Sequence, residues 1–396
     1  MNPDLDSLQP YPFERLRRLL SDVTPPGDVT PVALSIGEPQ HATPEFIKRA
    51  LTDRLDGLNR YAATRGTPEL REVIRTWLTQ RYALPADSVS AEHHILPVNG
   101  TREALFAIGQ AVIDRTDDPV VAMPNPFYQI YEGAALLAGA EPMFLNTWAS
   151  ADHVPDLDAV PPSQWQRCQL VYVGSPENPS GRVLDEAWWQ KLIRLADRFD
   201  FVIAADECYA ELYYDEAAPP PGLLAACRGM GRTDYQRCLV FHSLSKRSNA
   251  PGLRSGFVAG DADLLKRFLL YRTYHGCAMP LHTQAASQAA WADEDHVRTN
   301  RQRYREKFDA VAEVLAPVMD ATPPEAGFYL WPDIGGDDTT FARECYAETG
   351  ITVLPGSYLS RDTEDGNPGQ GHVRMALVAD YNACLEAANR LRRFLG

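Results

Sequence analysis

The stretch Cys238-Leu239-Val240-Phe241-His242-Ser243-Leu244-Ser245-Lys246 decides how this chain is read. An apolar run of strand length passes into a short polar turn and ends on a lysine. Five lysines serve 396 residues in which lysine and arginine together number 38. Lys48, Lys191, Lys266 and Lys307 fall in mixed charged and apolar stretches that read as amphipathic helices, where a lysine solvates the outer face. Lys246 instead follows a buried strand. An ammonium there is partly desolvated, releases its proton more easily and becomes a nucleophile able to form a Schiff base. Arginine cannot take that role. A lysine that only ends a strand at the surface is the ordinary alternative, and its neighbours argue against it.

Working outward, strands are expected at about 94–98, 119–123, 141–145, 169–174, 201–206, 237–242 and 255–259, alternating with helical stretches such as Asp185 to Arg198. That rhythm predicts an α/β fold with a mainly parallel central sheet covered by helices on both faces. Ala262 to Tyr274 and Val297 to Leu315 read as long helices leading out of it. Gly327 to Trp331 and Val373 to Val378 as strands, with a final helix Tyr381 to Leu395, predict a smaller α+β domain. The expected division is an arm at 1–40 that joins the small domain, a large domain at 41–280 and a small domain at 281–396. Arg361 to Gln370, rich in Asp, Gly and Asn, reads as a mobile surface loop.

Three further strand ends carry polar clusters that suit a pyridoxal phosphate ring. Phe201-Val202-Ile203-Ala204-Ala205 runs into Asp206-Glu207-Cys208-Tyr209. A carboxylate at the end of a buried strand needs a positive partner, and a protonated pyridine nitrogen is one. Tyr209 can donate its hydroxyl to the ring's phenolic oxygen. Leu170 to Pro176 leads to Asn178-Pro179-Ser180-Gly181, where Asn178 offers an amide to the same oxygen. His94 to Val98 precedes Asn99-Gly100-Thr101-Arg102 and a helical pattern, so a glycine turn opens a helix whose free amides face an anion. Ser243, Ser245 and Arg254 can complete that phosphate cradle. No Gly-Lys-Ser/Thr and no Gly-x-Gly-x-x-Gly opening a helix occurs, which argues against Walker-type and dinucleotide sites.

In this order, Gly100-Thr101, Asn178-Pro179-Ser180-Gly181, Asp206-x-x-Tyr209, Ser243-x-Ser245-Lys246, Arg254 and Arg374 resemble the class I and II aminotransferases over nearly the whole chain. The resemblance implies an aspartate-aminotransferase-like fold and the cofactor pyridoxal 5'-phosphate, covalently held by Lys246. It implies that Asp206 pairs with the pyridine nitrogen, and that Asn178 and Tyr209 contact the phenolic oxygen. Gly100, Thr101, Arg102, Ser243, Ser245 and Arg254 would hold the phosphate. Tyr128 would stack on the ring, Arg374 would clamp the substrate's α-carboxylate, Gly37 would lie beside that carboxylate, and Tyr61 would reach the phosphate of a neighbouring subunit. The implied protein is a homodimer with shared active sites, working on small amino and keto acids by a ping-pong cycle with glutamate as donor.

Lys246 to Phe257 and the opening Leu8 to Leu16 resemble the N-succinyl-diaminopimelate aminotransferases of bacterial lysine synthesis. The implied acceptor is N-succinyl-2-amino-6-oxopimelate, whose remote carboxylates need further cationic or amide donors. Arg17, Arg65, Arg247 and Arg272 are the candidates. Aminotransferases for aspartate, aromatic amino acids or methionine, and a carbon–sulfur lyase, would share the cofactor residues. A net charge of −15 and a pI near 5.1 disfavour nucleic acid and anionic membrane as partners, and disfavour a DNA-binding regulator built on the same core. Seven scattered cysteines without a CxxC pair predict free thiols in a reducing cytoplasm and no metal site. The acidic start, Met1 to Asp6, lacks a signal-peptide core, and no apolar run approaches membrane-spanning length.

Overall fold

The computed structural model describes residues 2–396. Its central sheet has seven strands in the spatial order Ile95–Val98, Gly256–Gly260, Cys238–Ser243, Val202–Asp206, Cys168–Gly174, Val120–Asn125 and Glu141–Asn146. Gly256–Gly260 runs antiparallel to both neighbours. Every pairing from Cys238–Ser243 across to Glu141–Asn146 is parallel. All seven expected strands are present, with ends displaced by one or two residues. The displacement has a cause: Asn125 pairs with Asn146 at the end of its ladder, and apolarity marks burial rather than pairing.

Side chains alternate across this sheet. Val171, Ile203, Ala205, Val240 and Phe257 face one core, closed by helices Pro68–Arg81, Glu186–Phe199, Leu223–Gly229 and Leu281–Trp291. Leu170, Val202, Ala204, Leu239 and Val258 face the other, closed by Thr101–Val112, Ile130–Ala138 and Ala262–His275. With both faces covered, the strands must be apolar throughout, which is why they read so plainly. Asp185 lies just outside its helix, capping it by accepting from Trp188 N at 2.7 Å.

A separate core forms around Phe308, Val311, Leu330, Ile351, Val373, Met375 and Leu391. It is built from the antiparallel strands Leu354–Pro355, Val373–Ala376 and Tyr329–Leu330, with helices Asp295–Leu315, Asp338–Thr349 and Tyr381–Leu395 around them. The short strand Val32–Ala33 pairs in parallel with Ile351–Thr352, tying the N-terminal segment to this core.

One expectation is corrected. The segment 361–370 is held down rather than free: Arg361 makes a two-pronged ion pair to Glu132 at 2.8 and 2.6 Å, its backbone N–H donates to Asn125 Oδ1 at 2.9 Å, and Pro368 and Gly369 are buried. Its composition is that of a loop, but the anchoring partners lie more than 200 positions away and leave no local signal.

Candidate active site

Four polar clusters leave the carboxyl ends of their strands on the same side of the sheet, after Val98, Gly174, Asp206 and Ser243, where such sheets take their ligands. A cavity of about 630 Å³ opens there. Its wall includes Gly37, Thr101, Arg102, Tyr128, Asn178, Asp206, Tyr209, Ser243, Ser245, Lys246, Arg254 and Arg374. Gly100 stands just behind this wall, against the Arg254 guanidinium. Tyr61 is apart from it and fully exposed.

Lys246 occupies the one-turn helix Leu244–Arg247, opened by Ser243, whose Oγ accepts from Ser245 N at 3.1 Å. Its ammonium donates to Gly37 O and lies 5.2 Å from the centre of the Phe328 ring. Enclosure in the cavity wall is the main reason its pKa falls to about 8, and the Arg374 charge pushes the same way. Burial lowers the Lys307 ammonium to about 8 as well, although that lysine was expected to solvate the outer face of a helix, so what sets Lys246 apart is its place in the cavity wall.

Asp206 is buried, with 6% of its surface exposed. Tyr131 OH donates to its Oδ2 at 2.9 Å, and the Cys208 backbone N–H reaches Oδ1 at 3.3 Å. Burial raises its pKa, while the Tyr131 hydroxyl pulls it back down. Among the described residues no lysine, arginine or histidine forms an ion pair with it. A buried carboxylate so placed, facing a cavity, is the natural partner of a cationic heterocycle.

The cavity's three arginines also have no carboxylate partner among the described residues. Arg254 spends its Nη1 on Pro251 O at 2.8 Å and adopts a left-handed backbone, φ 52°. It stands against Gly100, whose φ of 87° requires glycine and where an added Cβ would displace the guanidinium. Gly100 precedes the helix Thr101–Val112, whose first amides have no side-chain cap. Arg374 donates to Asn178 Oδ1 at 2.9 Å and to Ser35 O at 2.8 Å, and its buried Nε has no partner. Arg102 donates from Nε to Tyr128 OH at 2.6 Å. A ring with a basic nitrogen, a phosphate and a carboxylate-bearing substrate fits this donor set, so pyridoxal phosphate suits the residues present.

The proposed distal cations Arg17, Arg65, Arg247 and Arg272 are a correction: none lines the cavity. Arg17 is on the exposed face of helix Pro12–Leu19, and Arg65 pairs with Glu92. Arg247 is buried between Trp77 and Trp291 and paired with Glu294; Arg272 is buried against Glu103. Sequence reading missed Tyr329, whose hydroxyl lies 2.9 Å from that of Tyr209 and occupies the space a Cβ on Gly37 would take. It missed Tyr131 as well. The available signal was spacing, because Tyr128 and Tyr131 stand three apart where a helix begins.

Glu103, His275 and Cys277 bring three possible metal-ligand atoms within 4.8 Å of one another. Glu103 is committed to Arg272, and burial raises the Cys277 thiol's pKa. All seven cysteines are free, and no helix among the described residues is long and apolar enough to cross a membrane.

The family model for aminotransferase class I and II matches residues 29–391. The LL-diaminopimelate aminotransferase of Nitratidesulfovibrio vulgaris strain Hildenborough is 30% identical over 395 residues, covering 98% of this chain and 97% of its own. The transaminase OxyQ of Streptomyces rimosus, which acts on 4-dedimethylamino-4-oxo-anhydrotetracycline, is 33% identical over 91% of this chain and 92% of its own. Among solved structures, an aminotransferase from Neisseria meningitidis Z2491 superposes with a TM-score of 0.96 at 49% identity over the whole of both chains. Aminotransferase AspB from Helicobacter pylori 26695 superposes with a TM-score of 0.90 at 35% identity, over 98% of this chain and 99% of that one.

Proposed function

Because the chain belongs to the class I and II aminotransferases, which are pyridoxal-phosphate enzymes, we propose that it transfers the amino group of glutamate to N-succinyl-2-amino-6-oxopimelate, yielding the succinylated diaminopimelate. The observation that carries this reading is the set of three cavity arginines without acidic partners, arranged around a lysine whose pKa is lowered to about 8. These three cations would meet a phosphate, an α-carboxylate and one of the acceptor's two remote carboxylates, the other being left to neutral donors.

When bound, pyridoxal phosphate supplies an electron sink for charge developing at the substrate Cα. The chain's own residues do the rest. Asp206 would keep a proton on the pyridine nitrogen, Tyr128 would pack against the ring face, and Asn178 and Tyr209 would contact the phenolic oxygen. Arg254, Ser243, Ser245 and the amides of Thr101 and Arg102 would hold the phosphate. Arg374 receives the α-carboxylate through its fork of N–H groups, with Asn178 and Ser35 fixing the plane of that fork. Lys246 Nζ, once displaced by the substrate's amino group, would carry the proton between the substrate Cα and the cofactor's aldehyde carbon, a role suited to an amine that titrates near neutrality.

Arg102 is the cation left for the remote end of the acceptor, since Tyr128 OH is the hydrogen-bonded partner of its Nε. Tyr61 and Leu58, which are exposed, support a homodimer in which Tyr61 completes the partner's phosphate site.

A second reading draws on the relatives named LL-diaminopimelate aminotransferase, in which the acceptor would lack the succinyl group. Turnover with glutamate and a panel of acceptors separates the two. The succinylated keto acid should exceed oxaloacetate and phenylpyruvate at least tenfold in kcat/KM. Equal rates would remove the assignment, and faster turnover of the unsuccinylated acid would favour the second reading.

A further inference from the structure

Tyr131 is buried, 3% exposed, and carries three contacts at once. Its hydroxyl donates to Asp206 Oδ2 at 2.9 Å. Its ring stacks on Tyr172 with centroids 4.7 Å apart and planes 5° from parallel. It stands perpendicular to Tyr128, with centroids 5.7 Å apart and planes at 87°. Tyr172 OH donates to Leu105 O at 2.7 Å, which fastens this aromatic column to the helix Thr101–Val112.

An enclosed carboxylate without a cationic partner tends to take up a proton, and a neutral Asp206 would be a poor partner for a pyridinium. A hydroxyl donating to the anion opposes that. The other donor, Cys208 N, is longer at 3.3 Å. Burial raises the Tyr131 phenol's own pKa well above its ordinary value, so it remains a donor.

Resting on the reading that Asp206 faces the pyridine nitrogen, we propose that Tyr131 is a positioning residue. It holds Asp206 ionised and aimed at that nitrogen while its perpendicular packing sets the plane of Tyr128, so the edge and face contacts of the cofactor are adjusted together.

The test uses holoenzyme and two readouts other than turnover: the dissociation constant of pyridoxal phosphate, and the pH midpoint of the bound cofactor's visible absorbance. Tyr131→Phe keeps the column and removes the donor. It should weaken cofactor retention about tenfold, the scale of a hydrogen bond to a charged group, and move the midpoint by about half a pH unit or more. Tyr172→Phe removes a hydroxyl from the same column without touching Asp206, and should leave retention within about twofold and the midpoint unmoved. Asp206→Asn should match or exceed the Tyr131→Phe effect, with no further loss when the two are combined. Tyr131→His restores a ring donor and should recover part of the effect, which separates a lost donor from a damaged core. If Tyr131→Phe changes neither readout while Asp206→Asn changes both, the role given to Tyr131 is wrong. If Asp206→Asn also changes neither, the pairing of Asp206 with the ring nitrogen falls, and the role of Tyr131 falls with it.

Discussion

Arg374 Nη1 donates to Asn178 Oδ1 across 2.9 Å, joining a strand of the smaller sheet to the turn that follows Cys168–Gly174. Residues 196 positions apart thus share one hydrogen bond at the cavity wall. The amide orients the guanidinium, and Ser35 O takes a second N–H at 2.8 Å. Arg374 is 3% exposed and has no carboxylate to neutralise it, which leaves it able to receive the substrate carboxylate that the proposed function assigns to it.

Arg374→Lys should therefore fail as a substitute. Lysine keeps the charge but loses the planar fork, and a charged hydrogen bond contributes about 1.5–3 kcal/mol. We expect kcat/KM for glutamate to fall by about 10- to 100-fold, carried mostly by KM, with cofactor retention unchanged. Steady-state kinetics beside a cofactor titration checks this, and a loss of cofactor affinity of the same size would argue for a structural role instead.

Lys246 sets the second expectation. Its pKa is pushed down from 10.5 to about 8 by enclosure, so the neutral amine is fully available above pH 8 rather than above pH 10.5. The rate at which apoenzyme captures pyridoxal phosphate covalently should rise about tenfold per pH unit below that midpoint and level off above it. Stopped-flow absorbance between pH 6 and 10 measures it, and a midpoint near 10.5 would contradict the geometry. Lys246→Arg, which keeps a cation without a nucleophile, should give no peptide labelled by borohydride at position 246 and should lower the half-reaction rate at least 100-fold.

Much of this was legible because a parallel sheet buried on both faces forces continuous apolar strands, and polar residues at their ends stand out. Lys246, Asp206 and Asn178 were visible on that ground, and the cavity gathers them. What local sequence does not carry is partnership. Arg247 and Arg272 look like free cations until Glu294 and Glu103 are seen beside them. Tyr329 reads as one strand residue among several until its hydroxyl is found against Tyr209. The segment 361–370 has the composition of a mobile loop, and only the Arg361 to Glu132 pair reveals its anchoring.

Tyr61 carries the expectation about assembly. It lies outside the wall of its own cavity and is fully exposed, with Leu58 exposed nearby in sequence. If active sites are shared, Tyr61→Ala and Lys246→Ala each disable a site by a different subunit's contribution. Mixed after gentle unfolding and refolding, the two variants should form hybrids in which one site per dimer is wild type, and activity should reappear. No recovery in mixtures shown by sedimentation to contain hybrid dimers would place Tyr61 outside the catalytic arrangement.

Glu177 gives a prediction of opposite sign to that for an ordinary carboxylate. It is buried beside the cavity, its Oε1 has no partner, and Ser180 donates to Oε2 at 2.5 Å. Burial raises its pKa from 4.5 to about 8. Between those values the unfolded chain has lost the proton while the folded chain keeps it, so the fold binds more protons than the unfolded state and stability falls as pH rises. The contribution is fully present below pH 4.5 and gone once pH has passed through about 8. Glu177→Gln, neutral at every pH and close in shape, removes this slope. Its melting temperature should match wild type near pH 4.5 and exceed it by a few degrees at pH 8. A constant difference across that range would mean that Glu177 is ionised in the fold and that its unpaired oxygen has a partner in solution.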